Sequence, residues 1–317
     1  FAVATIVGPL VGGVLVQHAG WRWVFFVNLP VGALALLGLE LRLPAPPVER
    51  SERALDALGA ALLAGSTAAF MLVCIWGGQR YAWGSAQVLG LAAAVAALTA
   101  ALVVHERRVA DPIVPFHLLR TRVVAATSVA LFLGTASLFA VTVFVPVFLE
   151  AATGATPTEA GLLLAPAMLG ITVSTTLSGR GIARTGRYKR FPLAGLTAMA
   201  VGLVLLAGLA AQRSQAATGL GLAVFGLGFG MVTQVLIVAV HNSVERRELG
   251  IATAVTGFFR ALGGAVGAAV LGAVFAARAD SGIVDGVRAV FLAAAPLALL
   301  ALVAVALIPE KPLEQRR

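Results

Sequence analysis

Apolar residues in this chain run on rather than alternate. Ten stretches, at about residues 1–18, 24–41, 58–76, 88–104, 123–149, 161–179, 191–210, 219–241, 250–276 and 289–308, are nearly free of charge and are separated by polar connectors. A bilayer core about 30 Å thick needs roughly 20 apolar residues in a helix, so each run predicts a transmembrane helix, the first of them short. Proline-rich and glycine-rich turns, such as Pro44, Pro46 and Pro47 or Gly154 and Pro157, mark the breaks. Within the second run, Asn28 and Pro30 predict a local interruption, because Pro30 has no backbone donor.

Composition agrees: 60% of residues are hydrophobic and 12% are charged, where a soluble domain carries roughly 25% charged residues. A water-soluble fold has no place for so much apolar surface, whereas lipid accepts it on the outside of every helix. The expected class is an all-α integral membrane protein.

The excess of basic residues, 23 against 14 acidic, reports topology and not nucleic-acid binding, because the arginines cluster between the apolar runs. Strict alternation of sides gathers 17 of them on one face: Arg42, Arg50 and Arg53, then Arg107, Arg108, Arg120 and Arg122, then Arg180, Arg184, Arg187, Lys189 and Arg190, then Arg246 and Arg247, and finally Lys311, Arg316 and Arg317. Arg22, Arg80, Arg213, Arg278 and Arg288 fall on the other face, and Arg260 lies within a span. Basic loops stay cytoplasmic, which predicts a cytoplasmic C-terminus. Heavy use of Ala, Gly and Arg points to a GC-rich bacterial genome, hence to a bacterial inner membrane. The lone Cys74 allows no disulfide within one chain. No basic residue precedes the first apolar run, so no signal peptide is read there. The chain opens on Phe1 and not on Met, from which a truncated chain is expected.

Several small-residue motifs stand out. Gly8, Pro9, Gly12 and Gly13 remove side chains and one backbone donor, a pattern that allows close helix approach and a bend. The stretch Trp21-Arg22-Trp23 suits an outer interface, and Asn28-x-Pro30 follows it. Further on come Asp56-x-x-Gly59-x-x-Leu62 and Leu262-Gly263-x-x-x-Gly267-x-Ala269-Val270-x-Gly272. A loop over 179–190 carries Arg184, Gly186 and Arg187. Taken together, these motifs resemble the fourteen-span drug:proton antiporters of the EmrB/QacA type within the major facilitator superfamily. The chain departs from that pattern at Ala4 where a glycine is usual, at Val274 where a leucine is usual, and at Ala183 where the loop motif has an acid.

The resemblance implies a partial major facilitator superfamily fold with ten transmembrane helices. Residues 1–41 would be the last two spans of an N-terminal bundle, 42–110 an extra central helix pair, and 111–317 a C-terminal six-helix bundle with a short cytoplasmic tail. The first four spans of such a parent would then be missing, and the chain would not transport alone. Gly8, Pro9, Gly12, Gly13, Asp56, Gly59, Arg184, Gly186, Arg260, Gly263 and Gly267 are its expected interface and gating positions.

For a substrate surface, Ser128, Phe132, Thr135, Phe139, Thr142 and Pro146 recur at steps of four and three, which puts them on one stripe of a helix. Hydroxyls alternating with rings suit a cavity for amphipathic or aromatic cations. The other reading of the stripe has each hydroxyl bonded to its own helix backbone and each ring facing lipid. Gly226, Gly230, Gln234 and His241 form a similar stripe, from whose helix Gln234 and the nearby Phe229 are candidate substrate contacts. Gly226, Gly228 and Gly230 superficially match a dinucleotide loop, but they lie inside an apolar run, where helix packing explains them. Arg260 is read as structural, pairing with a helix end or a carboxylate. Among the carboxylates, Glu150 is the proton-coupling candidate, and no acid stands at mid-membrane.

The expected function is proton-coupled export of drugs or other small amphipathic compounds by alternating access. A narrower substrate, such as a siderophore or a self-made antibiotic, is the alternative. A membrane enzyme would need a catalytic constellation that His18, His105, His117 and His241 do not supply, and a sensor or scaffold would carry an added soluble domain. No cofactor or metal is expected beyond a proton gradient. The partners are the lipid bilayer, the substrate and protons, with no nucleic acid, and a monomer is expected.

Overall fold

The structure is a computed structural model and describes residues 2–42, 56–78, 80–109, 116–209 and 214–309. Among these, all regular structure is helical apart from one bridge between Gly77 and Tyr81. Helix is the required outcome for such runs, since in lipid each backbone N–H and C=O must be satisfied within its own segment.

The helices are α1 (Ala2–His18), α2 (Trp23–Phe26), α3 (Asn28–Arg42), α4 (Ala57–Trp76), α5 (Ala86–Glu106), α6 (Phe116–Arg120), α7 (Arg122–Thr153), α8 (Pro157–Leu163), α9 (Ala165–Thr185), α10 (Arg190–Leu209), α11 (Gln215–Gly230), α12 (Thr233–His241), α13 (Leu249–Ala279) and α14 (Ile283–Ala306). Nine stretches among the described residues are long and apolar enough to cross a bilayer, counting α2–α3, α8–α9 and α11–α12 as bent single spans. Ten were expected. The stretch outside that count is α1, which has 17 described residues, at the lower end of the length that spans a bilayer.

Three spans are interrupted. The break between α2 and α3 falls at Val27, where Pro30 cannot donate to the Phe26 carbonyl one turn back, and the Asn28 side-chain amide donates to the Val24 carbonyl beside it (3.1 Å). Leu164 separates α8 from α9 for the same reason, with Pro166 in the first turn of α9. The third break, at Met231 and Val232, follows the weakly helical run Gly226, Gly228, Gly230. Other ends lie beyond the expected ones: α14 starts at Ile283 and so takes in Arg288, and α13 takes in Arg278.

From α7 onward, six rods pack on one another. Helix α7 lies against α13 and α14, α10 joins α14 to α11, and α11 lies on α9. Their shared core includes Phe148, Leu196, Leu203, Phe225 and Phe291, all buried. Close approach is built in, because a Cβ on Gly226 would fall 2.1 Å from the Ala167 carbonyl oxygen and one on Gly228 2.4 Å from that of Gly195. Helix α11 is thereby pressed between α9 and α10, the helix-packing use expected of these glycines. Helices α4 and α5 pair as a hairpin whose connecting turn stacks Arg80 on Trp76 and Tyr81, and α4 also touches α13. Helix α1 lies on α8 and α9, with the Thr158 hydroxyl bonded to the Gln17 side chain. Along α2–α3 nearly every side chain is exposed.

Candidate functional site

The site most strongly built by the sequence is the seam between α7 and α13. A Cβ on Gly263 would lie 2.1 Å from the Phe132 carbonyl oxygen, one on Gly264 2.6 Å from the Phe139 ring, and one on Gly267 2.5 Å from Ala136 Cα. The glycine motif thus brings α13 onto the face of α7 that carries the hydroxyl and aromatic stripe. Phe132 and Phe139 are half-buried, and Ser128 and Thr135 are buried.

The hydroxyls divide between the two readings. Thr142 donates to the Leu138 carbonyl of its own helix (3.2 Å), as a self-satisfied hydroxyl does. Those of Ser128 and Thr135 have no hydrogen-bond partner among the described residues. A buried, unpaired hydroxyl is costly in a low-dielectric interior and so calls for a partner. Ser137, absent from the predicted stripe, donates to the Leu133 and Ala294 carbonyls at 3.0 and 3.2 Å and so ties α7 to α14. Its signal in the sequence was only a hydroxyl one step off the stripe.

The second predicted stripe is divided by the α11–α12 break. Gly226 and Gly230 are pressed onto α9, where the Thr175 hydroxyl donates to the Gly230 carbonyl (3.0 Å). Gln234 is exposed, Phe229 is half-buried with its ring stacked on Phe225, and His241 Nε2 sits 2.8 Å from the Thr253 hydroxyl. Arg260 is exposed, and among the described residues no carboxylate forms an ion pair with it. Continuing the α7–α13 register places it level with the turn containing Ser128. Glu150 is exposed near the C-terminal end of α7. Among the described residues, no cluster of His, Cys, Asp or Glu could hold a metal.

Asp56 is the best-defined polar group. One carboxylate oxygen accepts the Gly59 N–H at 2.8 Å, capping α4, and also meets His105 Nε2 at 2.8 Å across the hairpin. The Gly59 bond first, then that to His105, holds the Asp56 carboxyl below its ordinary value of 3.8. Gly59 lets the carboxylate lie close: a Cβ there would fall 2.3 Å from the Asp56 carboxylate and oblige that side chain to shift. The Asp-x-x-Gly motif is therefore a helix cap cross-linked to the next span, a role the His105 position gave no hint of.

At the C-terminal end of α9, Gly186 takes the left-handed conformation (φ 65°) that closes a helix, and its N–H returns to the Ile182 carbonyl. Beyond it, Lys189 Nζ donates to the Ala306 carbonyl at 2.8 Å and Arg190 to the Thr185 hydroxyl at 3.1 Å. A cation at the end of α14 also meets the negative pole of its dipole. Arg184 itself points to solvent. Gly8 and Gly12 have space around them: a Cβ on either meets nothing within 4 Å. Pro9, like Gly13, lies on α1.

A cleft of about 460 Å³ opens between the α4–α5 hairpin and α13, lined by Ser66, Phe70, Thr99, Phe258 and Phe259 among others. It is separate from the α7 stripe.

Comparison with known proteins accords with this architecture. The chain is 38% identical over 279 residues to an MFS-type transporter of Mycobacterium tuberculosis, covering 87% of this chain and 40% of that protein. It is 30% identical over 289 residues to multidrug transporter protein MdtP of Bacillus subtilis (90% of this chain, 52% of that one). With multidrug resistance protein 3 of the same species the identity is 29% over 275 residues (86% and 53%). The chain thus spans about half the length of these relatives or less. The model of the Major Facilitator Superfamily matches residues 1–268 and, in an overlapping second match, 127–317. A bundle of apolar, glycine-seamed helices that matches this model over most of its length belongs to the Major Facilitator Superfamily, a family of membrane transporters.

Proposed function

We propose that this chain serves in proton-coupled export of small amphipathic compounds, with its helices standing for the later spans of a fourteen-span antiporter in a bacterial inner membrane and its C-terminus in the cytoplasm. The observation that carries the reading is the α7 stripe, where the unpaired, buried hydroxyls of Ser128 and Thr135 alternate with the rings of Phe132 and Phe139. Such a surface offers apolar contact, adaptable hydrogen bonds and ring faces to a cation, which is what a pump of varied amphiphiles needs. Two relatives bear multidrug names, and a third, from Trichophyton rubrum and 26% identical, is named an efflux pump.

In this reading the two bundles rock about a midplane site, and glycine seams supply close, sliding contacts. Each proton charge crossing 100 mV supplies about 2.3 kcal/mol. Glu150 is the proposed proton-exchanging carboxylate. The test is efflux of a fluorescent cation such as ethidium from cells expressing the complete transporter. Export is expected to collapse on adding a protonophore and its substrate range to change in Thr135→Ala or Phe139→Ala. Export that survives the protonophore rejects proton coupling, and an unchanged range rejects the stripe.

A further inference from the structure

We propose that the cleft between α4, α5 and α13 is a lipid site, holding an acyl chain of an anionic phospholipid whose phosphate is gripped by arginines at the cleft's cytoplasmic end. The proposal rests on the membrane placement and orientation given above, and it is independent of what the protein exports.

The lining residues set the depth. They fall in residues 63–70 of α4, 95–103 of α5 and 254–262 of α13. These are the early turns of α4, the late turns of α5 and the early turns of α13, and all adjoin the arginine-rich connectors. The cleft therefore lies within the cytoplasmic leaflet. It has a built floor. The short helix α6 is pinned by Leu118, buried against Val124, Val240 and Ala252, and this presents Leu119 to the cleft.

The chemistry of the walls separates a lipid from a drug. No charged side chain lines the cleft; its polar groups are three hydroxyls, those of Ser66, which donates to the Leu63 carbonyl (3.0 Å), Thr67 and Thr99. A drug pocket sets a few converging polar groups inside its walls. Here the charge stands outside, at one end: Arg107 and Arg108 follow the last turn of α5, and Arg120 and Arg122 flank the end of α6. All four are exposed, and none forms an ion pair with a carboxylate among the described residues. The neighbouring Asp56 is already engaged by Gly59 and His105. An apolar slot with exposed guanidiniums at one end, none in an ion pair among the described residues, matches an amphiphile with an apolar tail and an anionic head. Guanidinium forks suit phosphate, and basic pockets between spans on the cytoplasmic side bind such headgroups.

The experiment is native mass spectrometry of the full chain released from nanodiscs of equal phosphatidylglycerol and phosphatidylcholine. Phosphatidylglycerol is expected to be retained preferentially, with about a fivefold loss of preference per arginine removed in Arg107→Gln and Arg120→Gln. Thr99→Trp, which fills the slot, is expected to remove the retained lipid while the circular dichroism spectrum stays that of the parent. Equal retention of the two lipids, or a preference unmoved by both arginine variants, overturns the proposal. So does rhodamine 6G binding that Thr99→Trp abolishes while phosphatidylglycerol stays bound, since the slot would then be a drug site. A failure of the orientation reading shows separately: Arg108→Cys would then react with an impermeant maleimide from outside the cell.

Discussion

Helices α1 and α13 carry the same kind of glycine motif and use it in opposite ways. Methyls on Gly263 and Gly267 would collide with the α7 backbone at 2.1 and 2.5 Å, while methyls on Gly8 and Gly12 would meet nothing within 4 Å. Lipid tails are as apolar as leucine, so helices in a bilayer gain little from hydrophobic contact and associate where backbones can approach. A glycine run thus encodes a capacity for approach, and only the rest of the fold says what approaches. In α13 the partner is α7 of the same bundle. In α1 no described residue comes close to Gly8 or Gly12, so among the described residues the same motif has no helix to receive it.

The largest effect is expected at the closed seam. Gly263→Val forces a branched side chain into the α7 backbone and is expected to lower stability by about 3 kcal/mol or more, read as lost monodisperse protein and a lower melting temperature in detergent. Gly12→Val is expected to change stability by no more than about 0.5 kcal/mol, yet to cut export in the complete transporter. Equal damage from the two substitutions would erase the contrast between the helices.

The hydroxyls of α7 sharpen the same point one side chain at a time. Thr142→Val removes a hydrogen bond and is expected to cost about 0.5–1 kcal/mol. Thr135→Val removes a hydroxyl without a partner and is expected to be neutral or stabilising by up to about 1 kcal/mol. Thermal denaturation of the two variants side by side checks the sign. A comparable loss, about 0.5–1 kcal/mol, is expected for Lys189→Met, which uncaps the end of α14.

The smallest effect is a slope against pH at Asp56. Its carboxyl titrates lower in the folded protein than its ordinary 3.8, so the ionised form favours folding. That contribution is complete above 3.8 and is lost as the pH falls through the lowered folded value. The melting temperature is therefore expected to drop at acid pH more steeply in the parent than in Asp56→Asn. Parallel curves would assign the acid sensitivity to other groups.

Much of the architecture was legible because twenty apolar residues in a row have one stable form in lipid. The interruption near Asn28 and Pro30 was legible too, since a missing donor acts locally. The break at Leu164 had the same cause in Pro166 but sat within an otherwise even run. That at Met231 and Val232 depends on the summed weakness of three glycines, which a strongly apolar pattern conceals. The stripe on α7 could be read as a stripe but not assigned a neighbour, because a helical period fixes which residues share a face and is silent on what covers it. Contacts across long sequence distances, such as Asp56 with His105 or Lys189 with Ala306, leave no local pattern at all.

The Lys189 contact has a mechanical side. Its ammonium, with the Arg190 bond to Thr185 and the Tyr188 hydroxyl reaching the Pro309 carbonyl, buckles the C-terminal ends of α9 and α14 and the N-terminal end of α10 into one knot. Displacing any one of those three ends would therefore strain polar contacts that reach the other two.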